Sequence, residues 1–219
     1  LILLPAVAFL LAYSLNTAPV IAIGLVLLSA CPGGITSNAY VFASRGDIAL
    51  SVTLTTIASL FTVFTMPLIV WMGLTVFADS TDIVDVPVSG MMRSLAQLTI
   101  LPIIIGMVIR KFKPAFAVKM VEPVRKMAIA ILIMVIVTNT WFSIETLKLY
   151  IVQAGIAALL LNVICMSMGY GMSKLAKLNT DQTISITYEV GLQNLSLALV
   201  LANTILGMPD YAAVTLIYG

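Results

Sequence analysis

Long apolar runs separated by short polar clusters set the pattern of this chain. Residues 1–15 are apolar but fall short of the about 20 residues that a helix needs to cross a bilayer, so they read as the tail of a helix that starts earlier. Asn16-Thr17-Ala18-Pro19 predicts a turn, with Pro19 at the first position of the next helix, where its missing N–H is no loss. Residues 20–30 are an apolar half-span. They stop at Cys31-Pro32-Gly33-Gly34-Ile35-Thr36-Ser37-Asn38, because a proline and paired glycines break a helix. A short apolar run over 39–43 leads to Ser44-Arg45-Gly46-Asp47. The expectation is two half-helices around an irregular centre covering 31–38.

Residues 48–77 predict one helix of roughly 45 Å, long enough to span with tilt and kinked at Pro67. Ser51, Thr55 and Ser59 recur every fourth residue on it and share one face. Taken alone, that face fits hydroxyl-mediated helix packing in a membrane as well as it fits a binding site. An acidic loop over 78–86 carries Asp79, Asp82 and Asp85. Further spans are expected at 88–109, with Arg93 and Pro102, at 127–142, and at 149–175, with Asn162 and Cys165 buried. A basic connection over 110–126 and a polar one over 143–148 separate them, and a loop follows at 174–181. A second interrupted span then runs from Ile184 through Glu189, Gly191, Gln193 and Asn194 to Leu201. Gly207-Met208-Pro209-Asp210 predicts a turn, and residues 211–219 open a last helix.

Composition removes the soluble alternative. Of 219 residues, 61% are hydrophobic and 9% charged, and the mean hydropathy is +1.14, outside the range of soluble domains. No histidine is present, which excludes a histidine metal site or a histidine-based triad. Cys31 and Cys165 make no metal-ligand spacing and read as free thiols. Charge is distributed unevenly. Arg45, Arg110, Lys111, Lys113, Lys119, Arg125, Lys126, Lys174 and Lys177 lie on alternate connections, nine of the eleven Lys and Arg residues. The other side holds Asp79, Asp82, Asp85, Glu145, Lys148 and Asp210. The excess of positive charge predicts that 44–47, 110–126 and 174–181 are cytoplasmic.

Glu189 is the candidate centre. A carboxylate at membrane depth is costly unless something compensates it, and no Lys or Arg is close in sequence. Gly191 and the amides Gln193 and Asn194 follow it, and such a run opens a helix and frees carbonyl oxygens. Carboxylate, amide and carbonyl oxygens are the ligands of a hard cation such as Na⁺. The alternative is a protonated glutamic acid hydrogen-bonded to a neighbouring helix. The two interrupted spans run in opposite directions under the charge asymmetry, the trace of an inverted repeat whose breaks cross near the midplane. The fold expected is an all-α integral membrane bundle with inverted-topology repeats and two broken, crossing transmembrane helices.

Three motifs, Cys31-Pro-Gly-Gly-Ile-Thr-Ser-Asn38, Arg45-Gly-Asp-Ile-Ala-Leu-Ser51 and Glu189-Val-Gly-Leu-Gln-Asn194, resemble the bile acid:sodium symporter family, and the similarity extends along essentially the whole chain. The resemblance implies a ten-helix fold with a core and a panel domain, of which this chain would begin late in the third helix and end early in the tenth. Residues 1–86 and 144–219 would belong to the core and 87–143 to the panel. It implies two Na⁺ sites. Ser37, Asn38, Ser51, Thr55 and Glu189 match the first, which favours a site over packing for Ser51 and Thr55. Glu189, Val190, Leu192 and Gln193 match the second, Val190 and Leu192 through their carbonyls. A further glutamine ligand of that site would precede Leu1, leaving the site incomplete here. Ile35 and Thr36, through their backbone, and Asn194 match the substrate region.

The function implied is Na⁺-coupled symport of an organic anion, a bile acid or a smaller carboxylate or sulfonate, by alternating access in the plasma membrane. An arsenite-type metalloid exporter of related fold is the alternative, kept open by Cys31 at the first break. An intramembrane enzyme would have only Cys31 and Glu189 as nucleophile and base; a non-transporting receptor or scaffold is a further reading. The partners expected are the organic anion and the lipid bilayer, and nucleic acid is not expected.

Overall fold

The computed structural model describes residues 1–78, 88–142 and 144–218. Its α-helices are α1 (Leu3–Ser14), α2 (Pro19–Ala30), α3 (Ile35–Ala43), α4 (Ile48–Phe77), α5 (Val88–Phe112), α6 (Pro114–Phe142), α7 (Ile144–Leu175), α8 (Thr180–Gly191), α9 (Leu195–Val200) and α10 (Ala213–Tyr218). A π-helical turn, Leu201–Ile205, extends α9, and a 3₁₀ turn, Pro209–Ala212, leads into α10.

Local chemistry starts these helices; α2, α4 and α9 open where the sequence predicts, whereas α8 opens at Thr180, inside the loop expected over 174–181. Pro19 stands at the first turn of α2. The Asp47 side chain caps α4 by accepting from the Leu50 N–H at 2.9 Å. Asn179 and Gln182 form a reciprocal capping box at the start of α8. Asn194 caps α9, accepting from the Leu197 N–H at 3.1 Å.

Three other connections differ from expectation. The first break is shorter: only 31–34 leave the helix, and Ile35 to Asn38 form the first turn of α3, because the extended Gly34 serves as its N-cap. The basic stretch 110–126 is helical except at Lys113. Its Lys, Arg, Met and Glu residues favour helix, Pro114 fits the first position of α6, and Glu122 pairs with Arg125 at 3.1 Å one turn on. Glu145 and Lys148, expected in a polar connection, lie in the first turns of α7, paired at 2.9 Å. Cys165 is buried as expected, whereas Asn162 is half-buried. The acidic-loop aspartates Asp79, Asp82 and Asp85 lie outside the described residues.

Helix α2 is the centre. Every residue from Ile21 to Ala30 is buried, as an all-round apolar half-helix requires, and α1, α4, α7 and α10 pack around it. Helix α5 reaches this core through Met91 and Leu95, and the rest of α5 and α6 turns outward. Leu101, Ile104, Ile105, Ile131, Ile133, Met134 and Val137 on them are all exposed. Water does not tolerate so large a contiguous apolar surface, whereas acyl chains do. Helices α4, α5 and α7 are long and apolar enough to cross a membrane. The chain is an all-α integral membrane protein.

Candidate functional site

The pairs α2–α3 and α8–α9 are half-helices around short breaks at 31–34 and 192–194. The breaks meet. Gly33 and Gln193 form an isolated antiparallel β-bridge, and the Asn194 N–H donates to the Pro32 carbonyl at 2.9 Å. Backbone groups freed at membrane depth must find partners inside the protein, and here each break supplies some of the other's.

Glu189 lies in the last turn of α8, buried and 7% exposed. Three hydroxyls from two other helices reach its carboxylate. Ser37 Oγ on α3 donates to Oε2 at 2.8 Å, Ser51 Oγ on α4 lies 3.3 Å from the same oxygen, and Thr55 Oγ1 on α4 donates to Oε1 at 2.6 Å. Asn38 completes the cluster. Its Oδ1 is 2.8 Å from Ser51 Oγ, and its Nδ2 is 3.4 Å from Thr55 Oγ1. Gly33 makes room for the carboxylate: a Cβ there would fall onto the Glu189 side chain.

The turn at 44–47 locks this arrangement. The Asp47 N–H donates to the Asp181 carbonyl at 3.1 Å, and Ser185 Oγ donates to the Asp47 carbonyl at 2.8 Å. Both bonds tie the start of α4 to α8.

No ion pair among the described residues involves Glu189; the three found are exposed pairs on α6 and α7. A buried carboxylate without a cationic side chain is compensated here by hydroxyl donors alone, whose strength falls short of a full countercharge. The cluster offers carboxylate, hydroxyl and amide oxygens and no soft ligand, which fits a hard monovalent cation. Among the described residues no group of three or more His, Cys, Asp and Glu side chains comes together.

The second predicted set adjoins the first. Gln193 is buried; its Nε2 donates to the Val190 carbonyl at 2.9 Å, and its Oε1 is buried with no hydrogen-bond partner among the described residues. An orphaned amide oxygen one residue from Leu192 is a ready cation ligand. Ile35 and Thr36 open α3, and Asn194, half-buried, caps α9. Cys31, just past the end of α2, is buried, and its thiol donates to the Leu27 carbonyl in the last turn of α2 at 3.4 Å.

Four residues around the site are not among the predicted site residues. Tyr40 and Tyr188 stack with ring centroids 5.7 Å apart, and Asn162 and Tyr218 converge on the end of α8. Asn162 was visible as a lone amide inside an apolar span; the others had no such signal.

The Sodium Bile acid symporter family matches residues 1–149. An uncharacterized sodium-dependent transporter of Bacillus subtilis is 31% identical over 203 residues, covering 91% of this chain and 60% of that protein. The human ileal sodium/bile acid cotransporter is 28% identical over 195 residues, covering 89% and 55%. Human sodium/bile acid cotransporter 4 is 27% identical over 196 residues, covering 89% and 45%. The chain thus spans about half the length of the relatives it matches.

Proposed function

The chain belongs to the sodium bile acid symporter family, and from that premise we propose that the full-length protein couples Na⁺ entry to uptake of an organic anion by alternating access. The observation that carries this reading is the buried Glu189 carboxylate, ringed by Ser37, Ser51 and Thr55 and without a cationic side chain. Ser37, Asn38, Ser51, Thr55 and Glu189 hold one Na⁺. Glu189, Gln193 and the Val190 and Leu192 carbonyls hold a second. Glu189 belongs to both sets, so it couples the two ions and neither is fully compensated without it.

The hydroxyls have a double use. With no cation they donate to the carboxylate; with one, they rotate and offer lone pairs, since a hydroxyl both donates and accepts. Na⁺ binding therefore exchanges the internal bonds of the cluster for bonds to the ion. The crossed breaks carry that change to Asn194 and the α3 N-terminus at Ile35 and Thr36, where the partial positive charge of helix ends favours an anionic group. The substrate class is a carboxylate or sulfonate, either a bile acid or a smaller anion. Residues 1–86 and 144–219 form the moving core and 87–143 the panel, with the connections at 44–47, 110–126 and 174–181 on the cytoplasmic face of the plasma membrane.

The test is uptake by the full-length protein in proteoliposomes, with and without an inward Na⁺ gradient, across a panel of labelled bile acids and smaller carboxylates and sulfonates. Gradient-driven accumulation of at least one anion is expected. Equal uptake with K⁺ in place of Na⁺ contradicts the proposal.

A further inference from the structure

The last carbonyl of α8 is held from two other helices. Asn162 on α7 donates through Nδ2 to the Gly191 carbonyl at 3.0 Å and lies 3.2 Å from the Tyr218 hydroxyl. That hydroxyl, on α10, donates to the same Gly191 oxygen. The two donors use both lone pairs of the oxygen. Carbonyls at a helix C-terminus lack intrahelical partners and are more often met by water or by the following turn. Here two tertiary side chains 29 and 27 positions away take that place.

Position 191 lies between Val190 and Leu192, the two residues whose carbonyls face the second ion in the reading above. The peptide joining Gly191 to Leu192 sets how those carbonyls point, because each peptide is planar and only φ and ψ remain free. Leu192 is extended, with φ −118° and ψ 104°, so the chain turns out of the helix immediately after the held carbonyl. Met166, one turn beyond Asn162 on α7, fills the space over Gly191 that a Cβ would need. The α7 surface thus fixes this peptide by contact on one side and by hydrogen bonds on another. A cleft of about 240 Å³, bordered by Gly155, Ala158, Leu159 and Ile217, adjoins Asn162 and Tyr218. On that side the polar pair, and not close apolar packing, restrains the carbonyl.

We infer that Asn162 and Tyr218 are positioning residues for the cation site. They contact no ion. They fix the Gly191 peptide, and through it the direction of the Val190 and Leu192 carbonyls and of the Gln193 amide. The inference rests on the ion reading of Glu189 and Gln193, and extends the machinery to α7 and α10, neither of which contributes a ligand.

The experiment uses the purified full-length protein and two readouts: the Na⁺ concentration that half-saturates thermal stabilisation in detergent, and the Na⁺ dependence of uptake in proteoliposomes. The variants are Tyr218→Phe, which removes one oxygen, and Asn162→Leu, which keeps the shape and removes the amide. Thr215→Val is the control on α10, since its buried hydroxyl has no hydrogen-bond partner among the described residues. Tyr218→Phe and Asn162→Leu are expected to raise the Na⁺ half-saturation about five- to tenfold, the effect of one lost hydrogen bond. The substrate KM at saturating Na⁺ and the amount of inserted protein stay at wild-type levels, and Thr215→Val behaves as wild type. The double variant falls short of the product of the single effects, because both groups act on one oxygen. If Asn162→Leu fails to insert, Tyr218→Phe decides alone. Wild-type Na⁺ half-saturation in Tyr218→Phe, or an equal shift in Thr215→Val, overturns the positioning role while the ion site stands. A wild-type protein that Na⁺ does not stabilise overturns the ion site and this inference together.

Discussion

Thr55 and Glu189, 134 positions apart in the chain, meet through a 2.6 Å hydrogen bond between the Thr55 hydroxyl and the Glu189 carboxylate. The contact joins the first half of α4 to the last turn of α8. It brings the face of α4 that carries Ser51 and Thr55 onto the only acidic side chain in the interrupted span 184–201. A hydroxyl face that sequence alone left divided between packing and binding therefore has a partner that requires compensation.

Thr55→Val and Ser51→Ala are expected to weaken Na⁺ binding roughly ten- to a hundredfold each, the range for a hydrogen-bonding group lost beside a charge. Ser59→Ala is the control. Its hydroxyl bonds the Thr55 carbonyl of its own helix at 2.7 Å, so its loss leaves Na⁺ binding unchanged. Titration of Na⁺-dependent thermal stabilisation measures all three, and equal effects at the three positions would identify the face as a packing device.

Gly33→Ala is expected to abolish Na⁺-dependent uptake, because its methyl group would occupy the position of the Glu189 carboxylate. Gly106→Ala on α5 meets nothing within 4 Å and leaves uptake intact. Comparing the two at matched membrane abundance separates the site from a general intolerance of added methyl groups. Full activity in Gly33→Ala would mean that the carboxylate does not sit against the first break.

Asn179→Ala is expected to lower stability by about 1 kcal/mol, the loss of an N-cap. The bond concerned is the 2.9 Å contact from the Gln182 N–H at the start of α8. The site is far along the helix from Glu189, so thermal denaturation shifts while Na⁺ half-saturation stays constant. A Na⁺ shift without a stability shift contradicts that separation.

Elements governed by local chemistry were legible in the sequence. The bounds of α4, the start of α2 at Pro19 and the presence of both breaks followed from proline, glycines and apolar runs, although α8 runs on to Gly191, past Glu189. The extent of the first break did not, because Ile35-Thr36-Ser37-Asn38 looks irregular by composition yet winds into α3 once Gly34 caps it. The basic stretch 110–126 was misread for a related reason: charge marks a segment as leaving the membrane, and says nothing against a helix continuing there. The candidate residues Ser37, Asn38, Ser51, Thr55 and Glu189 were individually visible, and the structure brings all five together. The hold of Asn162 and Tyr218 on Gly191 was not legible, since it depends on how α7, α8 and α10 pack, and hydropathy carries no trace of that.

The most direct test is Na⁺-gradient-driven anion uptake by the full-length protein and its Glu189→Gln variant, reconstituted at equal protein density. Glutamine keeps the shape and the hydrogen-bonding capacity and removes the charge, and a neutral amide cannot offset a cation in a low-dielectric site. The wild type is expected to accumulate anion with a Na⁺ Hill coefficient above one, and Glu189→Gln to insert normally while losing all dependence on Na⁺. Unchanged Na⁺ affinity in Glu189→Gln would contradict the assignment of Glu189 as the shared cation ligand.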